Sequence, residues 1–395
     1  MPNFREYWDL DRTVTFLNHG SFGACPRPIL ELQSALRDQM EREPVQFLVH
    51  QAPVLLADAR EFVARFLGAN PDGLAFIANA TTGVNAVLRS LSFEPGDELL
   101  VTDHEYNACR NVLDYVAQRS GARVVVVPVP FPLNSDEEVV DAINRCVTPR
   151  TRLLLLDHVT SATGLVMPVD RIVPQIESRG IPVLVDGAHA MGMVDLHLDA
   201  LGASFYTSNA HKWLCAPKGA AILHVRHDWC EKIRPAVISH GANMPTDSSS
   251  RYRNEFDWMG TSDPTPWLCV PACLQFLESL LPGGFPELRD HNRDLVLAGR
   301  NLLLQFTGQS VPAPESMIGF IASVPLNDGP AGKASALYVD PLQQSLWDRF
   351  RIEVPIHPWP QPGKRLIRIS AQIYNTIEDY KFLARALEAL EADDT

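Results

Sequence analysis

Between residues 70 and 230 the chain alternates short unbroken apolar runs with stretches whose apolar residues recur every three or four positions. Continuous apolar runs of four to seven residues predict strands covered on both faces, and the 3.6-residue rhythm predicts helices between them. Strands are expected at residues 73–79, 98–102, 123–127, 152–157, 182–186, 203–207 and 220–225, with the Val124–Val127 and Leu153–Leu156 runs buried. Helices are expected at 81–91, 107–119, 136–146 and 169–179, some opened by Asp or Thr caps. This alternation is the α/β signature of a mostly parallel, seven-stranded sheet.

Residues 241–266 lose this rhythm and are rich in Ser, Asp, Asn and Pro, which predicts a long loop leaving the sheet. Beyond it, helices are expected at 267–281, 291–306, 341–350 and 377–390, with strands near 317–324 and 365–370. The expected organisation is a large domain over 24–260 and a smaller α+β domain from 1–23 and 265–395, with 241–264 between them. Two domains also suit the length, because single cores stop growing near roughly 250–300 residues.

Composition narrows the function. The 395 residues carry 34 Lys plus Arg against 47 Asp plus Glu, a net charge of -13, with no basic cluster. Neutralising phosphates needs clustered cations, so a nucleic-acid partner is not expected. The longest apolar runs fall well short of the roughly 18–20 residues that cross a bilayer, and no membrane partner is expected. The first residues lack the apolar core of a signal peptide. Seven cysteines without a Cys-x-x-Cys pair suit reduced thiols better than disulfides or structural zinc. The expectations are a cytoplasmic location and no metal.

The segment that carries chemistry is Ile181-Pro-Val-Leu-Val-Asp186-Gly187-Ala188-His189, followed by Asn209-Ala-His211-Lys212. Asp186 ends a buried strand and Lys212 follows the next, placing a carboxylate and an amine at the rim where open α/β sheets bind ligands. Asn79-Ala80-Thr81-Thr82-Gly83 joins a strand to a helix, where free backbone N–H groups offer an anion site. Asp186 alone is equally an ordinary turn residue, and Thr81 or Thr82 an ordinary cap.

Together these motifs resemble the class V aminotransferase family of pyridoxal-phosphate enzymes, and within it isopenicillin N epimerase-like proteins. The resemblance runs from Leu17-Asn18-His19-Gly20-Ser21 to Arg368-Ile-Ser-Ala-Gln-Ile-Tyr374-Asn375-Thr376. It implies fold type I, a homodimer with shared active sites, and pyridoxal 5'-phosphate as cofactor. On this reading Lys212 tethers the cofactor aldehyde and then moves protons at Cα, and Asp186 pairs with the pyridine nitrogen. Thr81, Thr82, Asn209 and His211 hold the phosphate, joined by Thr261 from the neighbouring subunit. Tyr106 or His104 stacks on the ring, with Tyr106 also a candidate catalytic acid. Ser161 or His189 meets the ring oxygen. Arg368 resembles the clamp for the substrate carboxylate, and Asn18 and His19 line the same pocket.

Cysteine desulfurases of this family carry a nucleophilic cysteine shortly before that arginine. Here the stretch reads Ile352-Glu-Val-Pro-Ile-His357-Pro-Trp359-Pro-Gln-Pro-Gly and holds none. Epimerisation through a Cα carbanion, β-elimination from a cysteine conjugate or sulfoxide by a C–S lyase, and transamination remain open. The alternative outside enzymes is a cofactor-free binding module, which the presence of both Lys212 and Asp186 argues against.

Overall fold

The computed structural model describes residues 4–246, 249–330 and 339–393. Strand β1 (Thr15–Phe16) pairs in parallel with β10 (Ile352–Glu353), so the two ends of the chain meet. Seven strands build the central sheet: β2 (Leu74–Ile77), β3 (Glu98–Thr102), β4 (Arg123–Val127), β5 (Thr151–Asp157), β6 (Val183–Asp186), β7 (Phe205–Asn209) and β8 (Ala221–Val225). Their order is β2-β8-β7-β6-β5-β3-β4, and β8 alone runs against its neighbours. A smaller sheet holds β9 (Ile321–Leu326), β11 (Ile356–His357) and β12 (Arg365–Ser370) in the antiparallel order β11-β12-β9.

Period-two alternation divides each central strand between two cores. Phe76, Leu100, Leu154, Leu156, Val183, Val185 and Ile222 enter one; Ile77, Leu99, Val101, Leu153, Leu155, Leu184 and Leu223 enter the other. Both faces are covered, which is why the strands read as unbroken apolar runs. The exception is β4. It lies at the sheet edge, so Val126 is exposed and Val124 and Val125 only partly covered, against the expectation of a buried run.

The stretch expected to be a loop contains a helix, Arg251–Asp257. Ser250 caps it by accepting from the Arg253 N–H at 3.3 Å, and Tyr252 and Phe256, four residues apart, enter the second core. Two apolar positions in seven residues are too few to show a periodicity, and the surrounding sheet supplies the stabilisation. The helix expected at 267–281 is broken into Thr265–Leu268 and Val270–Ser279. Among the described residues no single helix is long and apolar enough to cross a membrane.

Candidate active site

The carboxyl ends of the parallel strands gather the predicted residues. Asp186 ends β6 and Asp157 ends the neighbouring β5, the two in register. Asn209 ends β7, and the tight turn after it presents Lys212, whose carbonyl accepts from the Cys215 N–H at 3.0 Å. Residues 17–23 cross over that turn. Gly23 is required there, since a Cβ would strike the Lys212 and His211 carbonyls.

Lys212 Nζ is 3.0 Å from His189 Nε2, and Trp213 Nε1–H donates to His189 Nδ1 at 3.3 Å. An indole N–H is a donor only, so Nδ1 is the acceptor and the imidazole proton sits on Nε2, aimed at the lysine. Burial first, then the Arg368 charge, push the Lys212 amine down to about 8. Burial with nearby Lys212 also lowers His189 well below its usual range. The amine is still mostly charged at pH 7, and its neutral form, which takes over above pH 8, can accept the Nε2 proton in a hydrogen bond.

Asp186 is fixed from two sides: Ala188 N–H donates to Oδ1 at 2.9 Å and the Cys109 thiol to Oδ2 at 3.0 Å. Atoms of Glu105, Cys109 and Asp186 all lie within 4.8 Å of one another. Burial, then the Asp186 charge, raise Glu105 to about 8; burial and Glu105 push Asp157 up as well. Burial beside one another's charge therefore disfavours the ionised forms of Glu105 and Asp157. None of the sequence motifs marks this layer. The signal was the Asp that closes both the Leu153–Leu156 and the Val183–Val185 runs.

At the helix Ala80–Ser90, Asn79 Oδ1 caps Thr82 N–H at 2.9 Å and accepts from the Thr82 hydroxyl at 3.1 Å. Asn209 Oδ1 accepts from Ala80 N–H at 2.8 Å, so Asn209 ties the helix start to β7. Asn79, rather than a threonine, is the cap. His211 Nδ1 donates to the Ala220 carbonyl at 2.9 Å, and burial lowers its pKa to about 4.

Arg368 is buried on β12. Its Nη1 donates to the Ser161 carbonyl at 2.6 Å, and its Nη2 to the Ser21 hydroxyl at 2.7 Å and to Asn18 Oδ1 at 3.4 Å. Asn18 Nδ2 also donates to Glu353 Oε1 at 2.9 Å. Ser161 is thus seated against the guanidinium, its hydroxyl 3.4 Å from Nη1. Ser21 was not among the predicted residues, although it follows Asn18 and His19 by only a few positions.

Two expectations change. His19 is no pocket-lining group: its Nδ1 meets Tyr374 Oη at 2.7 Å and its Nε2 the Lys212 carbonyl at 2.9 Å, so both nitrogens brace the lysine turn. His104 is likewise committed, with Nδ1 on Thr163 Oγ1 at 2.8 Å and Nε2 on the Val129 carbonyl at 3.1 Å. Tyr106 is 45 % exposed and within electrostatic reach of Asp186 and Arg368. Thr261 is exposed on a bend after Gly260, which has φ +118.

The Aminotransferase class-V family model matches residues 35–336. The chain belongs to the class V aminotransferase family. It is 38% identical to an isopenicillin N epimerase of Amycolatopsis lactamdurans over 98% of both chains. It is 31% identical to a probable chloroplastic L-cysteine desulfhydrase of Arabidopsis thaliana, over 98% of this chain and 85% of that one. In fold it matches a lysine-to-alanine mutant of C-DES with glycine covalently linked to its pyridoxal-phosphate cofactor, at a TM-score of 0.80 and 23% identity over 98% and 99% of the chains.

Class V aminotransferases are pyridoxal-phosphate enzymes, and the donors present suit that group. A buried amine, a fixed carboxylate beyond it, an Nε2–H set by Trp213 and a capped helix start match an aldehyde, a pyridine nitrogen, a phenolic oxygen and a phosphate in turn.

Proposed function

We propose that this class V aminotransferase is an amino-acid epimerase dependent on pyridoxal phosphate, acting on an amino acid or an amino-acid conjugate. The observation that carries the reading is that two groups able to transfer protons, Lys212 and Tyr106, both lie within electrostatic reach of Arg368 and Asp186. The 38% likeness to an isopenicillin N epimerase along nearly the whole chain supports it.

Pyridoxal phosphate, when bound, supplies a sink for the electron pair left at Cα. Lys212 would hold the cofactor aldehyde and move the proton at Cα, a task suited to an amine held near pKa 8. Asp186 keeps the ring nitrogen protonated, and Cys109 and Ala188 keep Asp186 in place. His189 donates to the ring oxygen. Thr81, Thr82 and His211 hold the phosphate, with Asn209 fixing the helix that presents it. Tyr106 would face the cofactor ring and supply the second acid that inversion requires. Arg368 takes the substrate carboxylate, with Asn18 and Ser161 orienting its guanidinium.

A C–S lyase is the second reading, supported by the 31% likeness to a desulfhydrase. An amino-acid panel incubated in heavy water separates them: Cα inversion without keto-acid release supports the epimerase, and pyruvate with ammonia from a cysteine conjugate the lyase.

A homodimer belongs to the same reading. Phe22, Val45, Val49, Val54, Val237, Ile238 and Met244 are exposed apolar side chains on one chain, and Thr261, exposed on its bend, reaches a partner's phosphate on this reading. Hybrid dimers of Lys212→Ala and Thr261→Ala chains should regain one intact site; no regained activity in verified hybrids refutes the sharing. Seven free cysteines suit a reducing compartment, and the cytoplasm is the location we propose.

A further inference from the structure

The amino-terminal end of the central sheet borders a cavity of about 800 Å³ that has no part in the scheme above. Thr151, which opens β5, stands in its wall, and Asp157, which closes β5, stands beside Asp186. A strand of seven residues at about 3.3 Å each sets the two ends about 20 Å apart. Leu91, Phe93, Val147, Ile181 and Trp229 give the cavity an apolar wall, and the charged residues that line it are Arg152, Arg179 and Lys232. Among the described residues no carboxylate lines it, in a chain whose net charge is -13.

Asp97 offsets the Arg152 charge at 3.1 Å. The other two cations are held by neutral partners: Arg179 Nη2 donates to Asn144 Oδ1 at 2.7 Å, and Lys232 Nζ lies 4.3 Å from the centre of the Trp229 ring. Trp229 is itself fixed, its ring edge-on to Phe205 at 5.2 Å and its carbonyl accepting from the Lys232 N–H at 2.8 Å. Asp228 senses the Lys232 charge but lies outside the lining, where Arg226 engages both of its oxygens at 2.7 and 3.0 Å. Cations fixed beside apolar, low-dielectric walls concentrate anions, and a concave site of this size with a few charged groups has the form of a small-molecule pocket. We propose that this cavity binds a small organic acid as its carboxylate, with the apolar body against Trp229, Leu91 and Phe93 and the charge met by Arg179 and Lys232. The apolar wall selects against an anion that has no apolar body, and the guanidinium of Arg179 suits a planar carboxylate.

Isothermal titration of the holoenzyme at low salt with cinnamate, with the uncharged cinnamyl alcohol and with inorganic phosphate tests this. Cinnamate should bind about fivefold or more tightly than either of the others. Arg179→Gln and Lys232→Gln, both at exposed positions, should each weaken cinnamate about threefold to fivefold, the scale of one exposed charge pair. The double variant should lose about tenfold, with cinnamyl alcohol changed less than about twofold. Ser92→Glu, at an exposed position of the lining, sets a carboxylate in the cavity and should abolish cinnamate binding. Absence of cinnamate binding overturns the proposal. Equal affinity for cinnamate and its alcohol does so by removing the cations from the account, and equal affinity for cinnamate and phosphate by removing the apolar wall. Cinnamate binding that Arg368→Ala abolishes and the double variant leaves intact would put the anion in the active site instead and would overturn it as well.

Discussion

Replacing Lys212 by methionine should stabilise the cofactor-free protein at neutral pH. The amine falls from its usual 10.5 to about 8 on folding because burial and Arg368 oppose its charge. The unfolded chain therefore binds more protons than the folded one between those values, and stability rises with pH across that window. Below pH 8 both states are protonated and the folded state carries the whole penalty, about 3 kcal/mol at roughly 1.4 kcal/mol per pKa unit. Methionine keeps the stem and removes the charge, and it forgoes the 3.0 Å contact with His189, a loss of about 1 kcal/mol. The net gain is about 2 kcal/mol at pH 7, or about 2–3 °C in Tm for a chain of this length. At pH 9.5 the folded amine is largely neutral and the gain should fall close to zero. Thermal melts of both apo proteins at the two pH values measure it. A Lys212→Met variant that is less stable at pH 7, or whose advantage grows with pH, refutes the argument that burial sets this amine's charge.

Asp186→Ala should leave a folded protein that binds pyridoxal phosphate at least tenfold more weakly, measured by equilibrium dialysis; unchanged retention would contradict the pyridine pairing. Tyr106→Phe should suppress product formation by about a hundredfold or more while Lys212 still exchanges the α-proton with solvent, and parental behaviour in both NMR assays would remove Tyr106 as the acid. Gly187→Ala should destabilise by about 2–4 kcal/mol, because a methyl there meets the Tyr206 ring, whose hydroxyl is held by His158 at 2.7 Å. Urea unfolding indistinguishable from the parent would show that the two strands part more easily than their packing implies.

The sequence by itself determined the central sheet and the identities at its rim. Strands covered on both faces must be apolar throughout, so the Leu153–Leu156 and Val183–Val185 runs announced themselves, and the residues ending them had to lie at one edge. Asp186, Lys212 and the helix start at Asn79 were legible for that reason. Tertiary structure decided which partners the neighbouring groups take. His104 and Tyr106 are two residues apart with similar prospects in the sequence, yet Thr163 and Val129, distant in the chain, claim both nitrogens of His104. His19 is spent on Tyr374 and the lysine carbonyl in the same way. The carboxyl layer of Glu105 and Asp157 beside Asp186 and the Cys109 thiol that holds Asp186 both depend on strands and helices meeting across the chain. Local patterning fixes which segments are buried; hydrogen-bond commitments and charge environments are made between segments, and only their packing assigns them.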